Sequence, residues 1–317
     1  MELVVGVDAG GTASHAVVAT VDGEIVGRGR AGPGNPLSAG PAAVPALSAA
    51  LRSAVATVDP AAVIGGVLGL AGSSACDGAF ASVLDDAWSA VGLSCPWRVV
   101  GDAVTAFAAG TCAPDGAVLI AGTGAVAAQL HDREIVRVND GRGWLLGDEG
   151  SGHWLGVSAL RAAVRGWPSP FATAVAAQTG ATGRDRLIGW AQELHHAEIA
   201  SLAPLVCAMA RAGDPHATAI VADAVRRLTA TLDELRPDGP VVLAGSLLTA
   251  ATPVRDGLLA GLGARSVPTL ISRDPAAAAA WLALPTRSPV THAALLGTPA
   301  PHGRSFPRRR HGVDYHR

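Results

Sequence analysis

The sequence contains no lysine, because the 24 residues counted as lysine or arginine are all arginine. A phosphate-binding loop of the Walker type depends on a lysine and is therefore excluded. Any phosphate site in this chain must use backbone amides, Mg²⁺ or arginine instead.

Cysteine and long apolar runs are also scarce. The four cysteines, Cys76, Cys95, Cys112 and Cys207, form no CxxC pair, which excludes a zinc knuckle or a compact cluster-ligand set. No apolar run approaches the roughly 20 residues needed to cross a bilayer, and the N-terminal residues lack a signal-peptide pattern. These absences predict a reduced, cytoplasmic protein that does not contact a membrane.

Charge and size set further bounds. The formal net charge of -2 and the pI near 6.5 argue against nucleic acid as a partner. The chain has 317 residues, 49% of them hydrophobic, which is enough for two domains that each bury a core.

One pattern of elements occurs twice along the chain, roughly 110 residues apart. Each copy is a buried strand, a Gly/Thr turn, a second strand, a polar turn and a third strand. A repeat of this length indicates two similar domains rather than a solenoid. The predicted strands are Leu3–Asp8, Ser14–Val21 and Glu24–Arg30 in the first copy, and Gly116–Ala121, Ala125–His131 and Glu134–Val138 in the second.

The pattern between and after these copies predicts further elements and a domain division. Helical periodicity covers 42–58, 78–91, 151–166, 184–194, 199–211 and 217–235, and helices also begin at Ala103 and near Leu247. Strands are predicted at 63–71, 97–101 and 240–244. We therefore expect an N-terminal domain (1–112) joined by a helix near 274–284, a helix-rich C-terminal domain (113–273) and a loosely ordered tail (285–317).

Three small-residue turns follow predicted strands and are candidates for binding phosphate or nucleotide. Their amides can approach an anion closely, and the acidic residue that ends the first strand suits hydrated Mg²⁺. Taken singly, each turn could also be an ordinary β-turn or a strand-to-helix connection. The turns are Asp8-Ala9-Gly10-Gly11-Thr12, Gly122-Thr123-Gly124 and Gly245-Ser246.

A longer motif, GWLLGDEGSG from Gly143 to Gly152, carries a family resemblance. Together with the three turns, it resembles the N-acetylglucosamine kinase and BadF/BcrA-type ATPase family of the actin-like superfamily, over about residues 3–284. The resemblance implies the α/β class with two actin-like (ribonuclease H-like) domains and a central cleft. It also implies that the three turns bind ATP and that Asp8 holds Mg²⁺.

The same resemblance assigns roles in the cleft. It makes Asp102, which follows the strand 97–101, the base that activates a sugar hydroxyl, although Asp102 could also cap the helix from Ala103. Trp144 could instead fill the core, and Asn35 could be a turn residue before Pro36. The implied sugar contacts are Asn35, Ser73, Asp102, Gly143, Trp144, Asp148, Glu149 and Gly152.

The substrate implied is an amino sugar phosphorylated at its C6 hydroxyl. Asp148 and Glu149 place two carboxylates in the sugar-facing motif, which favours the ammonium of glucosamine. N-acetylglucosamine is the alternative. Two other classes remain open: an ATP-hydrolysing activator of a radical dehydratase or reductase, which would need cluster-binding cysteines, and a non-catalytic sugar sensor. Homodimers are common in the family, but no exposed stripe in the sequence identifies one here.

Overall fold

The computed structural model describes residues 1–73, 78–193 and 196–297. Cys76, one of the cysteines considered above, lies outside them. Within these ranges the chain forms ten strands, which build two five-stranded sheets. The strands are β1 (Leu3–Ala9), β2 (Ser14–Thr20), β3 (Ile25–Ala31), β4 (Val63–Leu70), β5 (Trp97–Gly101), β6 (Gly116–Ala121), β7 (Ala125–His131), β8 (Glu134–Asp140), β9 (Val241–Ala244) and β10 (Thr269–Ile271).

The described ranges also contain fifteen α-helices, most of them in the second half of the chain. They are α1 (Pro36–Ala39), α2 (Ala43–Val55), α3 (Gly78–Ser89), α4 (Asp102–Ala108), α5 (Gly143–Leu146), α6 (Gly152–Arg165), α7 (Pro170–Thr179), α8 (Arg184–Gln192), α9 (His196–Ala200), α10 (Ala203–Arg211), α11 (Pro215–Asp233), α12 (Ser246–Thr249), α13 (Pro253–Ala264), α14 (Pro275–Ala283) and α15 (Pro289–Leu296).

The two sheets have the same topology. The first has the order β3-β2-β1-β4-β5 and the second the order β8-β7-β6-β9-β10. In both sheets the first three strands are antiparallel, and the remaining two continue parallel to the central strand. The predicted α/β class and internal repeat are therefore confirmed. The division at residue 112 remains a prediction, although each sheet is built from the part of the chain assigned to it.

A buried layer lies between the two sheets. It consists of α4 and α14, whose side chains pack with residues of both sheets, among them Val4 and Val67 of the first and Val118 and Val242 of the second. Separate cores lie on the outer sides, against α2 and α3 in the first half and against α6 to α13 in the second. Because α4 begins at Asp102, the buried layer places this residue at the junction of the two halves.

Gly6 of β1 shows how closely α14 packs on the first sheet. A Cβ atom at Gly6 would lie 2.0 Å from the backbone nitrogen of Ala280 and 2.2 Å from the carbonyl oxygen of Ala276. We expect Gly6→Ala to lower the free energy of unfolding by about 3 kcal/mol or more, because backbone must move to admit the methyl group. Urea denaturation measures this. The control is Gly32→Ala, where no atom lies within 4 Å; equal losses in both variants would contradict the direct strand–helix contact.

The structure corrects the prediction for the start of the tail and the prediction for one helix. Residues 289–296, assigned to a loosely ordered tail, form α15, whose His292 ring nitrogen lies 2.7 Å from the Ala108 carbonyl oxygen in the buried layer. The tail prediction is therefore wrong for these residues, and 298–317 lie outside the described ranges. The single helix predicted at 199–211 is also wrong: α9 and α10 are separate, with a proline in the first turn of α10.

No helix in the described part of the chain is both long and apolar enough to span a membrane.

Candidate active site

Three candidate residues of the first half, two of them acidic, lie at the carboxyl ends of parallel strands. Asp8 is in the penultimate position of β1, Ser73 follows β4, and Asp102 follows β5 directly. Neighbouring parallel strands end at the same edge of a sheet, which is where open α/β sheets bind ligands. A Cβ atom at Gly101 would lie 3.6 Å from the Ser73 hydroxyl oxygen, so Ser73 lies beside the start of α4.

Asp8 is a carboxyl group of this edge with a strongly raised pKa. Burial, followed by the negative charges of Asp102 and Asp274, raises its pKa from 3.8 to about 7. Asp274 caps α14 by accepting the Ala277 N–H at 3.0 Å, and it pairs with Arg28 at 2.7 Å. The charges of Asp102 and Asp274 thus disfavour the ionised form of Asp8, which a bound cation would stabilise.

The negatively charged surroundings of Asp8 fit a bound Mg²⁺ ion. Mg²⁺ takes one or two protein carboxylates and completes its shell with water and substrate phosphates. Asp8 and the neighbouring Asp102 could supply that number of carboxylates. A role for Asp8 in holding the ion remains a prediction.

Asp102 has a raised pKa because of burial, which hydrogen bonds from the backbone N–H groups of Ala103 and Asp102 only partly oppose. Its interpretation as the helix cap is wrong. Gly101 is the N-cap of α4, and Asp102 is the first helical residue. The carboxylate therefore lies in the first turn, where the helix dipole favours a negative charge.

The first Gly/Thr turn and the Asn35 loop are joined by backbone hydrogen bonds. Gly10 donates to Ala13 at 3.0 Å, and its carbonyl oxygen accepts from Gly34 at 3.1 Å and Asn35 at 3.2 Å. Gly11 and Thr12 are exposed at the tip of the turn. The predicted phosphate turn and one predicted sugar contact are thus brought together in the first half.

The second Gly/Thr turn is held against the GDEGSG motif. Gly122 accepts from the Gly152 N–H at 2.7 Å, and Thr123 accepts from the His153 N–H at 3.1 Å. Asp148 accepts the Ala125 N–H at 3.1 Å, and a Cβ atom at Gly124 would lie 2.9 Å from the same carboxylate. Glycine at position 124 therefore lets Asp148 lie directly against the turn.

The third turn also packs on the second. Gly245 has a φ of 82°, and a Cβ atom there would lie 2.4 Å from the Ala121 carbonyl oxygen. Only glycine combines this backbone conformation with such close contact. The Ser246 hydroxyl lies 3.6 Å from the position of a Cβ atom on Gly122. The structure thus groups both predicted nucleotide turns of the second half with the motif.

Two residues that the sequence reasoning missed shape this motif. Asp140 accepts the N–H groups of Asp148 and Glu149, each at 2.8 Å, and adopts a φ of 63°. Arg227 of α11 forms an ion pair with Glu149 and lies 4.9 Å above the Trp154 ring. Glu149 is therefore engaged with α11, so that of the two carboxylates expected at the sugar only Asp148 has no ion-pair partner among the described residues.

Trp144 is 42% exposed, so its interpretation as core filler is wrong. Its ring centroid lies 4.1 Å from that of His196 and 5.8 Å from that of His153. His153 is buried, and burial together with His196 lowers its pKa. Sequence reasoning missed this aromatic cluster, whose members are 52 residues apart at most in the chain.

The candidate residues therefore form two sets, one at each sheet. The first comprises the Asp8–Thr12 turn, Asn35, Ser73 and Asp102; the second comprises both other turns and the motif from Gly143 to Gly152. Between the halves, Ile135 of β8 contacts the start of α4, since a Cβ atom at Gly101 would lie 2.9 Å from it. The cleft residues thus come from both copies of the repeat.

Comparison with known proteins identifies the class. Residues 5–257 match the model of the BadF/BadG/BcrA/BcrD ATPase family, and the chain belongs to this family. Its fold is the two-domain actin-like fold with a central cleft, as the duplicated sheets and the structural neighbours show.

The individual relatives share only part of their sequence with this chain, at most 26% in the examples below. A candidate N-acetylglucosamine kinase from Chromobacterium violaceum is 26% identical with a TM-score of 0.72, covering 89% of this chain and 99% of its own. A second one, from Porphyromonas gingivalis, is 23% identical with a TM-score of 0.70, covering 87% and 95%. The N-acetylmuramic acid/N-acetylglucosamine kinase of Clostridium acetobutylicum is 26% identical over 179 residues. That match covers 52% of this chain and 54% of the relative, about half of each.

Proposed function

We propose that the protein is an ATP-dependent kinase that phosphorylates the C6 hydroxyl of an amino sugar. The observation that carries this proposal is the pair formed by Asp8 and Asp102. The two carboxylates lie at the ends of β1 and β5, close enough for one to raise the pKa of the other. One can hold a metal while the other accepts a proton, which are the two acidic roles that phosphoryl transfer needs.

Asp102 is the general base in this mechanism. Its raised pKa makes the ionised carboxylate a stronger proton acceptor than that of an ordinary aspartate. It takes the proton of the C6 hydroxyl, whose oxygen forms a bond to the terminal phosphorus of ATP as ADP leaves. Asn35, Ser73 and the motif residues orient the sugar so that this hydroxyl meets Asp102.

The nucleotide is held by backbone amides in the absence of lysine. The turns at Gly10–Thr12 and Gly122–Gly124 supply N–H donors and hydroxyls to the phosphates, and Gly245-Ser246 lies beside the second turn for the adenosine. Asp8 would hold Mg²⁺, which neutralises charge on the phosphates when bound.

The C2 substituent of the sugar distinguishes two candidate substrates. Asp148 lies near Asp140, and burial and the Asp140 charge both raise its pKa. An ammonium beside this pair would be stabilised, which supports glucosamine. The acetylated sugar is supported by the relatives, since the C. violaceum protein and the C. acetobutylicum enzyme are named for N-acetylglucosamine.

The test is ADP release with Mg-ATP and a panel of glucosamine, N-acetylglucosamine, N-acetylmuramic acid, glucose and mannose. Turnover of an amino sugar above that of the neutral hexoses supports the proposal. Absence of turnover on every sugar would contradict it and favour an ATPase activator or a sugar sensor.

The variant Asp148→Asn tests which of the two amino sugars is the substrate. If Asp148 binds the ammonium, the variant should lose roughly tenfold or more in kcat/KM for glucosamine, because a charge-assisted hydrogen bond becomes a neutral one. The value for N-acetylglucosamine should change little. Glu149→Gln is the matched control, since its carboxylate pairs with Arg227 and should not affect the ratio between sugars. Equal losses for both sugars in Asp148→Asn would assign Asp148 to holding the turn through Ala125 alone.

A further inference from the structure

A cavity of about 310 Å³ outside the candidate active site is lined by three arginines, Arg98, Arg133 and Arg287, together with Asp132 and Glu134. Arg98 is in β5 of the first sheet, Arg133 is in the turn that joins β7 and β8 of the second, and Arg287 follows α14. Three separate segments thus bring guanidinium groups to one cavity between the two halves.

The positive charge of this cavity is only partly balanced. Burial and the charge of Arg287 lower the pKa of both Arg98 and Arg133, so Arg287 is close enough to repel both of the other guanidinium groups. Among the residues that line the cavity, three arginines outnumber two carboxylates, and the charge of Asp115 outside the lining also acts on Arg133. Within the described part of the chain, none of the three forms an ion pair with a carboxylate.

Arg133 is held in place and retains a donor without an acceptor. One of its terminal nitrogens donates to the Cys112 carbonyl oxygen at 2.9 Å, and its guanidinium lies 5.2 Å from the Trp281 ring centroid. Its Nε atom is buried and has no hydrogen-bond partner in the described structure. A buried donor without an acceptor is unfavourable, so the hydrogen-bonding capacity of Arg133 is not fully used.

The backbone at Arg133 is unusual for its sequence. Asp132 and Arg133 have φ values of 49° and 63°, the left-handed conformation of a two-residue hairpin turn in which Asn-Gly is normally preferred. The Asp132 N–H donates to the Asp115 carboxylate and the Arg133 N–H to the Pro114 carbonyl oxygen, both at 2.8 Å. These bonds hold an arginine where glycine would be easier to accommodate, and strained positions of this kind concentrate at ligand sites.

We propose that this three-arginine cavity binds a phosphate group, either inorganic phosphate or the phosphate of a small metabolite. Guanidinium groups match the oxygens of a phosphate in geometry and charge, and a bound dianion would relieve their repulsion. The cavity is separate from the proposed kinase site, because Arg98 is the second residue of β5 whereas Asp102 follows the end of that strand, a backbone separation of about 13 Å. A phosphate held by Arg98 and Arg133 links the first half to the second.

The experiment measures the thermal stability of the full chain against inorganic phosphate, and separately against glucose 6-phosphate, at constant ionic strength with chloride as reference. A non-hydrolysable ATP analogue is present throughout to occupy the nucleotide site. Either phosphate should raise the melting temperature of the wild type above that in chloride. The readout is binding, so it does not depend on the proposed kinase activity. No stabilisation by either phosphate would overturn the proposal.

Arg287→Gln gives the sharper test, because its effect on thermal stability should change sign when phosphate is added. Without phosphate the variant should be slightly more stable than the wild type, since like-charge repulsion is relieved. With phosphate it should be less stable, with the apparent Kd raised about tenfold by the loss of a charged donor. Arg98→Gln should behave likewise, and Arg52→Gln, an exposed charge on α2, should match the wild type. Lower stability of Arg287→Gln in both conditions, or an equal loss of phosphate binding in Arg52→Gln, would refute the site.

Discussion

Asp102→Asn should lower kcat for the amino sugar by roughly a hundred- to ten-thousandfold, because loss of a general base removes a contribution of that size. The variant should fold normally. Burial already raises the pKa of Asp102 and so favours its neutral form, and asparagine is neutral and of similar shape. Binding of Mg-ATP, measured by calorimetry, should be unchanged because no nucleotide turn is altered.

The pH dependence distinguishes a base from a residue that only contacts the sugar. In the wild type, kcat/KM should fall on the acidic side at a pH above that of an ordinary aspartate, since protonated Asp102 cannot accept the hydroxyl proton. This limb should be absent from the residual activity of Asp102→Asn. Asp185→Asn, at a 94% exposed side chain on α8, is the control for loss of a carboxylate. Turnover of Asp102→Asn close to the wild-type rate would remove Asp102 from the mechanism.

The repeated strands and their turns could be predicted because their signals are local. In each copy the apolar strand, the Gly/Thr turn and the polar hairpin turn follow within 30 residues, and the observed order of the two sheets agrees. The helix α13 was missed because Gly257, Gly261 and Gly263 weaken its helical propensity. Its formation instead depends on tertiary contacts of Leu258 and Leu262 in the second core, which no local pattern reveals.

The partners of the site residues could not be predicted in the same way. Glu149 and Arg227 are 78 residues apart in the sequence. Asp8 and Asp274 lie near opposite ends of the chain, yet the charge of Asp274 raises the pKa of Asp8. Side by side in the sequence, Asp148 and Glu149 look like equivalent sugar ligands, but α11 engages only the second. Local motifs thus identified candidate residues, whereas long-range packing determines which of their charges remain free for a ligand.

Asp8→Asn should have opposite effects on stability and on activity. The pKa of Asp8 is raised from 3.8 to about 7 in the folded chain, so the folded state binds a proton more tightly than the unfolded state does. The stability from this proton is fully present below pH 3.8 and is lost as the pH rises through about 7. At pH 8 the ionised carboxylate therefore costs the metal-free protein at most about 4 kcal/mol.

Because asparagine cannot ionise, the variant avoids this cost. Urea denaturation without Mg²⁺ should show Asp8→Asn to be more stable than the wild type at pH 8, with a smaller gain at pH 5, and Asp185→Asn should show no such difference. Mg²⁺-dependent sugar phosphorylation should be lost, because Asp102 is the proposed base and Asp274 caps α14, which leaves neither to replace Asp8. A variant no more stable at pH 8 would contradict the raised pKa, and retained Mg²⁺-dependent turnover would contradict the metal role. Finding both effects would mean that the ionised carboxylate is maintained at position 8 at the expense of stability, since the metal-bound nucleotide requires it.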